Sequence, residues 1–229
     1  MKTLYTLLPV FLALAFANVL FADEPSDDGF VSIFNGKDLT NWAGQSDGWR
    51  VADGCIVGES TPEKPCKRSH YLYYTGGEPS NFHFKTTLRL QGNGNSGIQF
   101  RSEKRPNWDT FGYQADLDAS QQWTGCLYHH TRAAVVKRGF DNVIDPDGKV
   151  HEKKFTDVDP IKFYKPNDWN DYEVIADGNV ITIIINGQMM CRVDDRNAKD
   201  APKTGIIALQ MHQGPPMKVE FKNIKLKKL

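Results

Sequence analysis

Hydrophobic and polar residues alternate along several short stretches, and Gly, Asn and Asp separate these stretches about every ten residues. Residues 82–90, 97–101 and 218–226 follow this alternation. A period of two predicts strands with one buried face, and no long stretch has the spacing of an amphipathic helix. The pattern predicts an all-β fold, most economically a sandwich of two sheets.

Two hairpins and one irregular region complete the predicted organisation. The β-branched run 180–185 ends at Asn186-Gly187, and Asp177-Gly178-Asn179 precedes it. Both sequences favour tight turns between antiparallel strands. Residues 131–170 are interrupted by Pro and Gly and are long for a connection in a compact domain. They are predicted to form either a lid or binding loop, or a surface excursion without a role.

Three predicted strands carry amides, acids and a histidine at alternate positions. Side chains two residues apart share a face of a strand. This assigns one polar set: Gln99, Arg101, Glu103, Gln114, Asp116, Asp118, Gln210 and His212. If the strands are neighbours, the set forms a polar floor that suits a carbohydrate. The alternative is a sheet face that is merely solvated.

Asp116 and Asp118 raise the question of a conventional glycosidase. Residues i and i+2 on one strand lie ~7 Å apart, within range of a pair of catalytic carboxylates. Laminarinase-like jelly-roll glucanases place a glutamate where this chain has Gln114. Because an amide cannot act as the nucleophile, a retaining mechanism is disfavoured, although Asp116 and Glu103 remain candidates for an acid/base pair.

Composition and charge exclude some classes of partner. The 229 residues include 28 basic and 28 acidic residues, so the formal net charge is +0. This balance offers no electrostatic footprint for nucleic acid. The adjacent His129 and His130, with Asp116, Glu103 or His212, leave a divalent metal site as an alternative, although no HExxH motif or Asp-rich calcium loop supports it.

The N-terminal sequence and the cysteines indicate the cellular compartment in which the protein functions. An apolar run follows Lys2 and leads to Ala15-Phe16-Ala17, which predicts an export signal over residues 1–17 and a linker over 18–29. The run is short for a transmembrane anchor, which is the alternative. We therefore expect a periplasmic or extracellular protein with no membrane insertion after signal removal. Cys55 and Cys66 are predicted to pair, whereas Cys126 and Cys191 suit either a bridge or buried thiols.

Several ordered motifs in residues 30–229 resemble one family. They are Phe30 to Trp42, Asn95-Ser96-Gly97-Ile98, Gly112-Tyr113-Gln114, Asp168 to Tyr172, Ile185-Asn186-Gly187, Gly205 to His212 and Phe221 to Ile224. Together they are similar to the 3-keto-disaccharide hydrolase domain family. The resemblance implies a concanavalin A-like jelly-roll sandwich in an exported enzyme that cleaves the glycosidic bond of 3-keto-glycosides.

This substrate class suggests roles for the polar set, because a ketone at C3 acidifies the C2 hydrogen and permits cleavage by elimination. Hydrolysis without elimination is the other route. We expect His212 to be the base, with His130 in reserve. Arg101 or a metal would stabilise the oxyanion, and Asp116 or Glu103 would orient or donate a proton. The expected sugar-binding residues are Gln99, Gln114, Gln210, Trp123 and, least favoured because alternation turns it to the core, Tyr113.

Two other functions fit the same sequence. One is a non-catalytic, lectin-like sugar-binding module that uses Trp108, Trp123 or residues 131–170 as a platform. The other is a structural interaction domain whose polar face is only solvated. Only the enzymatic function predicts turnover, and it predicts that replacing His212 or Arg101 abolishes turnover without unfolding the protein.

Overall fold

A computed structural model describes residues 28–229, and this part of the chain folds into two packed antiparallel β-sheets with one parallel strand pair. Two single-turn 3₁₀ segments, Pro106–Trp108 and Pro160–Phe163, are the only helical elements in that part. The strands are β1 (Val31–Ser32), β2 (Trp42–Ala43), β3 (Trp49–Ala52), β4 (Cys55–Ser60), β5 (His70–Tyr74), β6 (Phe82–Gly92), β7 (Asn95–Arg105), β8 (Asp109–Asp118), β9 (Leu127–His129), β10 (Ala133–Val136), β11 (Asp141–Ile144), β12 (Val150–His151), β13 (Asn170–Asp177), β14 (Val180–Ile185), β15 (Gln188–Asp195), β16 (Ile206–Met211) and β17 (Met217–Lys228).

The two sheets differ in size and share one apolar core. The 10-stranded sheet has the order β12-β11-β15-β14-β13-β6-β17-β4-β3, with β1 paired to β17. The 7-stranded sheet has the order β10-β9-β8-β7-β16-β5-β2. Phe84, Phe100, Leu117, Ile183 and Leu209 are among the fully buried side chains between them. The predicted all-β jelly-roll sandwich is confirmed.

The alternating stretches form strands as predicted. Along β6, buried and half-buried residues alternate from Phe82 to Gln91, and its inward side chains pack on the core. The turn between β14 and β15 is the two-residue loop Asn186-Gly187, because Ile185 pairs with Gln188. Both turn residues have positive φ, at 50° and 76°. Asn-Gly suits this geometry because both residues tolerate the left-handed region.

Residues 131–170 are more ordered than the sequence suggests. They contain β10, β11, β12 and the second 3₁₀ segment. β11 extends the larger sheet through a parallel pairing with β15, in which Asp141 stands beside Arg192. Arg192 also bonds the Asp141 carboxylate at 2.8 Å. The segment is less regular than the rest of the described chain, as predicted, but its short strands attach it to both sheets, so it is not one long free loop.

The structure contains no disulfide among the described residues. Cys55, Cys66, Cys126 and Cys191 are free thiols, so the predicted bridge between Cys55 and Cys66 is wrong. Cys66 Sγ instead contacts the carbonyl oxygen of Arg68 at 3.1 Å. The predicted export signal at residues 1–17 and most of the 18–29 linker lie outside the described residues. Within residues 28–229, no helix has the length and hydropathy needed to span a bilayer.

Candidate functional site

The outer face of the 7-stranded sheet carries a cavity of about 450 Å³. Its floor comes from the central strands β7, β8 and β16, which are adjacent in the sheet. This volume lies within the range of small-molecule sites. The lining residues are Ser69, Tyr71, Asn95, Gln99, Asp109, Gln114, Asp116, Trp123, Tyr128, His130, Ala133, Gln210 and His212. The predicted polar floor therefore exists, and five of its expected residues line the cavity, together with Trp123 from the rim.

Three glutamine side chains form a hydrogen-bonded row across the floor. Gln99 Nε2 donates to Gln114 Oε1 at 2.9 Å. Gln114 Nε2 donates to Gln210 Oε1 at 3.1 Å and to Asp116 Oδ1 at 2.6 Å. All four side chains are buried. Because buried amides are costly to leave unpaired, this row fixes the orientation of each amide group.

The ends of the row leave donors for a ligand. Ser102 Oγ donates to Gln99 Oε1 at 2.7 Å, and Gln210 Nε2 donates to the Tyr71 hydroxyl oxygen at 2.9 Å. Each glutamine carries two N–H groups. Gln114 uses both within the row, whereas Gln99 and Gln210 each retain one. The row therefore holds two amide N–H groups that no described residue accepts, one on Gln210 and one on the fully buried Gln99.

Asp116 is a buried acid with an unusual pKa. Burial raises its pKa to about 7, the hydrogen bond from Gln114 opposes this rise, and the nearby charge of Asp118 adds to it. The backbone of Asp116 is also bonded from the larger sheet. The hydroxyl of the buried Tyr172 on β13 donates to the Asp116 carbonyl oxygen at 2.8 Å. A carboxyl that titrates near neutral pH can both donate and accept a proton.

Asp118, two residues further along β8, binds the loop that follows this strand. Its Oδ1 accepts the backbone N–H groups of Trp123 and Thr124 at 2.9 Å and 2.8 Å. Its Oδ2 accepts the hydroxyl of Ser120 and the N–H of Gln122. Both carboxylate oxygens are thus occupied in shaping the loop after β8. Asp118 is unsuited to pair with Asp116 as a glycosidase nucleophile or base.

His212 follows β16 directly and stands at the rim of the cavity. Its Nδ1 lies 2.5 Å from the carbonyl oxygen of Gln213. A carbonyl can only accept, so Nδ1 carries the proton in the neutral ring and Nε2 holds a lone pair. No described residue bonds that Nε2. β7 separates the strands of His212 and Asp116, and the registers place Gln210 rather than His212 directly across from Asp116. Two strand spacings and an offset of two residues put the backbones of Asp116 and His212 about 12 Å apart.

The two adjacent histidines point to different surroundings, as alternation predicts. His130 lines the cavity, and its ring stacks on Phe111 with centroids 5.3 Å apart. His129 is buried against the edge of the Tyr113 ring. Burial, with Arg132 and His130 nearby, lowers the pKa of His129 to about 4. His129 is therefore a neutral core residue, and His130 is the one available to a ligand.

Arg101 is not on the predicted floor. β7 contains a bulge after Phe100, where Arg101 and Ser102 lie opposite the single residue Gly112 of β8, and Arg101 itself has φ 45°. The extra residue reverses the alternation, so the arginine crosses toward the larger sheet. There its Nε and Nη1 donate to the carbonyl oxygens of Ser80 and Gly178 at 2.8 Å and 2.9 Å. Ser102 takes the place on the floor that was predicted for Arg101.

Glu103 and Tyr113 also lie outside the main cavity. The Glu103 side chain is 74% exposed and stands 3.4 Å from Arg105. The same bulge moves it away from the floor. The Tyr113 hydroxyl donates to Asp195 Oδ2 at 2.6 Å within the core, as its inward position predicts. The geometry therefore does not bring either residue to a ligand in this cavity.

Aromatic residues form the walls of the cavity. Trp123 lines it, as predicted, on the loop shaped by Asp118. Tyr71 and Tyr128 also line it and were missed, although Tyr128 lies close to Trp123 in the sequence. Trp108, the other predicted platform, packs at a tilt of 49° against Tyr73 with ring centroids 5.4 Å apart and does not line the cavity. Aromatic faces beside amide donors suit the apolar and polar faces of a sugar ring.

The donor set does not favour a metal in residues 28–229. No three His, Cys, Asp or Glu side chains in this part come together closely enough to hold an ion. Asp116 and His212, the strongest donors in the cavity, stand on strands separated by β7. We therefore assign no step to a metal.

Comparison with solved structures identifies the fold. Two putative glycosyl hydrolases from Parabacteroides distasonis superpose with TM-scores of 0.58 and 0.57 at 22% and 18% identity; the first match covers 88% of this chain and 94% of that protein, and the second 87% and 99%. A Bacillus subtilis protein with a galectin-like fold superposes with a TM-score of 0.52 at 13% identity, covering 83% of this chain and 90% of that one.

Sequence comparison identifies the family. No curated protein matches this chain. The family model described as a 3-keto-alpha-glucoside-1,2-lyase-like domain matches residues 29–227, which is nearly the whole described chain and includes every residue of the cavity. The chain therefore belongs to the 3-keto-alpha-glucoside-1,2-lyase-like domain family.

Proposed function

We propose that the protein cleaves the glycosidic bond of 3-keto-glycosides by elimination, followed by addition of water. The observation that carries this proposal is the arrangement of acids in the cavity. Burial raises the pKa of Asp116 to about 7. Both carboxylate oxygens of Asp118 accept hydrogen bonds from the loop after β8. Asp109, the other acid that lines the cavity, is seven residues from Asp116 along β8. That separation is about 20 Å, too far for a pair of glycosidase carboxylates.

Elimination needs one base and one acid rather than two carboxylates. In the proposed reaction, His212 Nε2 removes the C2 proton, and the C–H electrons form the C3 enolate. The free N–H groups of Gln99 and Gln210 stabilise the enolate oxygen. Collapse of the enolate forms the C1–C2 double bond and breaks the C1–O bond. Asp116 gives its proton to the departing oxygen.

Hydration completes the reaction. Water adds to the enone, with its hydroxyl at C1 and a proton at C2. The net change is one glycoside plus one water giving one 3-keto sugar and one alcohol. His212 returns its proton, and Asp116 regains one, so that the site is restored.

The first test compares a 3-keto-glucoside with its unoxidised parent. The proposal predicts release of the aglycone from the keto form alone, with transient ultraviolet absorbance from the enone. Release from the parent at the same rate would contradict it. A chelator arm belongs to the same experiment, because loss of turnover that a divalent cation restores would assign a metal to the reaction.

Variants test the roles of the residues. Asp116→Asn and His212→Gln are each expected to lower kcat by about 100-fold or more, the typical contribution of a general acid or base. Glu103→Gln, on the exposed side of the bulge, is the matched control and is expected to keep kcat within about twofold. A loss in Glu103→Gln equal to that in Asp116→Asn would contradict the assignment of the acid.

A lectin-like module is the second candidate, favoured by the aromatic walls formed by Tyr71, Trp123 and Tyr128. It predicts binding of ordinary glycans without turnover of any keto sugar. Calorimetry with the unoxidised glycoside, run beside the turnover assay, separates the two functions.

A further inference from the structure

A second cavity, of about 460 Å³, lies on the opposite face of the smaller sheet from the main cavity. The paired strands β5 and β16 turn Tyr71 and Gln210 to the main cavity and His70 and Met211 to the second one. Neighbouring residues of a strand point to opposite faces, which explains this division. The two cavities have no lining residue in common, so the second is a separate site.

His70 presents a buried N–H group to the second cavity. Its side chain is 6% exposed, and Trp49 Nε1 donates to its Nδ1 at 3.2 Å. An indole nitrogen can only donate, so the neutral imidazole carries its proton on Nε2. Burial lowers the pKa of His70, opposed by the charge of Asp47, and keeps the ring neutral. No described residue accepts a hydrogen bond from Nε2, so this group is free to donate to a ligand.

The charged residues of the lining favour an anion. They are three cations and two acids: Lys64, Lys67, Arg68, Asp47 and Glu59. The three cations are exposed and make no ion pair with any described residue. Glu59 is paired with Arg50, which stands outside the lining, at 2.5 Å. The cations therefore face Asp47 alone, and that acid would repel a doubly charged anion more strongly than a singly charged one.

Apolar groups complete the lining of the second cavity. Pro65, Cys66 and Met211 contribute to it, and Met211 is 1% exposed. Cys66 is partly buried and packs against the hydrophobic core. Burial of carbon against such surface is favourable, and the volume lies within the range of small-molecule sites. The lining suits a ligand that combines one negative charge with an apolar body.

We propose that the second cavity binds a small organic monocarboxylate. His70 Nε2 donates a hydrogen bond to the carboxylate, Lys64, Lys67 and Arg68 supply the opposite charge, and the carbon body lies against Pro65 and Met211. This site goes beyond the proposed function, because it lies on the other face of the sheet. Its test needs no sugar and no turnover.

Cys66 provides a local probe of the second cavity. Of the four cysteines, it is the one that is not buried. Iodoacetamide is uncharged, and mass spectrometry of the peptide that carries Cys66 measures its alkylation. We expect saturating cyclohexanecarboxylate to slow this alkylation at least fivefold. At the same concentration, cyclohexanecarboxamide, acetate and inorganic phosphate should leave the rate within twofold, because each lacks either the charge or the apolar body. No protection, or equal protection by any of these three, would overturn the proposal.

A charge-removing variant tests the role of the cations. Lys64→Gln combined with Lys67→Gln changes two exposed side chains, and we expect it to raise the Kd for cyclohexanecarboxylate at least 10-fold in calorimetry. Lys149→Gln combined with Lys153→Gln removes the same charge from exposed positions outside the cavity and should leave the Kd within twofold. Equal values of Kd in the two double variants would contradict the site. Heat of binding without protection of Cys66 would place the carboxylate elsewhere and would also overturn the proposal.

Discussion

At the scale of single residues, the unusual chemistry of this protein is concentrated in Asp116. The acid is buried among the amides of the cavity floor, and its pKa of about 7 follows from that burial. An aspartate in the unfolded chain ionises near its ordinary value of 3.8. Between these two pH values, the folded protein holds a proton that the unfolded chain releases. The contribution of Asp116 to stability is therefore fully present below pH 3.8 and is lost as pH rises toward 7.

This linkage predicts the behaviour of Asp116→Asn. The amide keeps the shape and cannot ionise, so the variant should gain stability over the parent as pH rises from about 4 to about 7. The gain should reach a few kcal/mol at most, since a tenfold change in proton affinity corresponds to about 1.4 kcal/mol. Urea unfolding across this pH range measures it. Asp157→Asn, whose side chain is fully exposed, is the control. Parallel stability curves for Asp116→Asn and the parent would contradict the assigned pKa.

Arg101 illustrates a residue whose role depends on one irregularity of the backbone. Its guanidinium bonds Ser80, Gly178 and Asn81 on the side of the larger sheet. Arg101→Ala would leave buried carbonyls unpaired, and we expect it to lower the free energy of unfolding by about 3 kcal/mol or more. Arg105→Ala, which removes an exposed partner of Glu103, should cost less than about 0.5 kcal/mol. Equal costs in thermal or urea unfolding would contradict the role of Arg101 as a link between the sheets.

At the scale of elements, the sequence pattern predicts the regular strands but not the bulge in β7. Alternation identified β6, the two tight turns and the shared floor of β7, β8 and β16, because a period of two follows directly from strand geometry. The bulge in β7 has no such signature, since one extra residue leaves the pattern of residue types intact while reversing every side chain beyond it. This single insertion separates Arg101 and Glu103 from the floor on which Gln99, Gln114, Asp116, Gln210 and His212 were correctly placed.

The pairing of β7 with β8 also limits what the floor tolerates. Gly97 stands opposite Asp116 in the register, and a Cβ on it would lie 2.8 Å from the side chain of Gln114. We expect Gly97→Ala to displace Gln114 and to cost about 1–3 kcal/mol through overpacking. Because Gln114 holds Asp116, the pH at which kcat/KM is half-maximal should move as well. An unchanged pH profile in a destabilised variant would show that the row of amides does not set the acid's proton affinity.

At the scale of the whole molecule, stability comes from the apolar core between the sheets rather than from covalent links. All four cysteines are free, and three of them are buried. We therefore expect the melting temperature to change by less than about 1 °C on addition of a reductant. A native disulfide typically contributes about 2–5 kcal/mol, which would give a shift of several degrees. A fall of that size in differential scanning calorimetry would show that a bridge exists.

The position of the two ends of the described chain has a practical consequence. β1 pairs with β17, so both ends belong to the larger sheet, whereas the cavity opens on the outer face of the smaller one. A tag, a fluorescent label or a surface linker attached beyond Leu229 would therefore leave from the larger sheet, away from the strands that form the cavity floor. Immobilised protein should present its cavity outward, which makes surface-based measurements of glycan capture feasible without redesigning the chain.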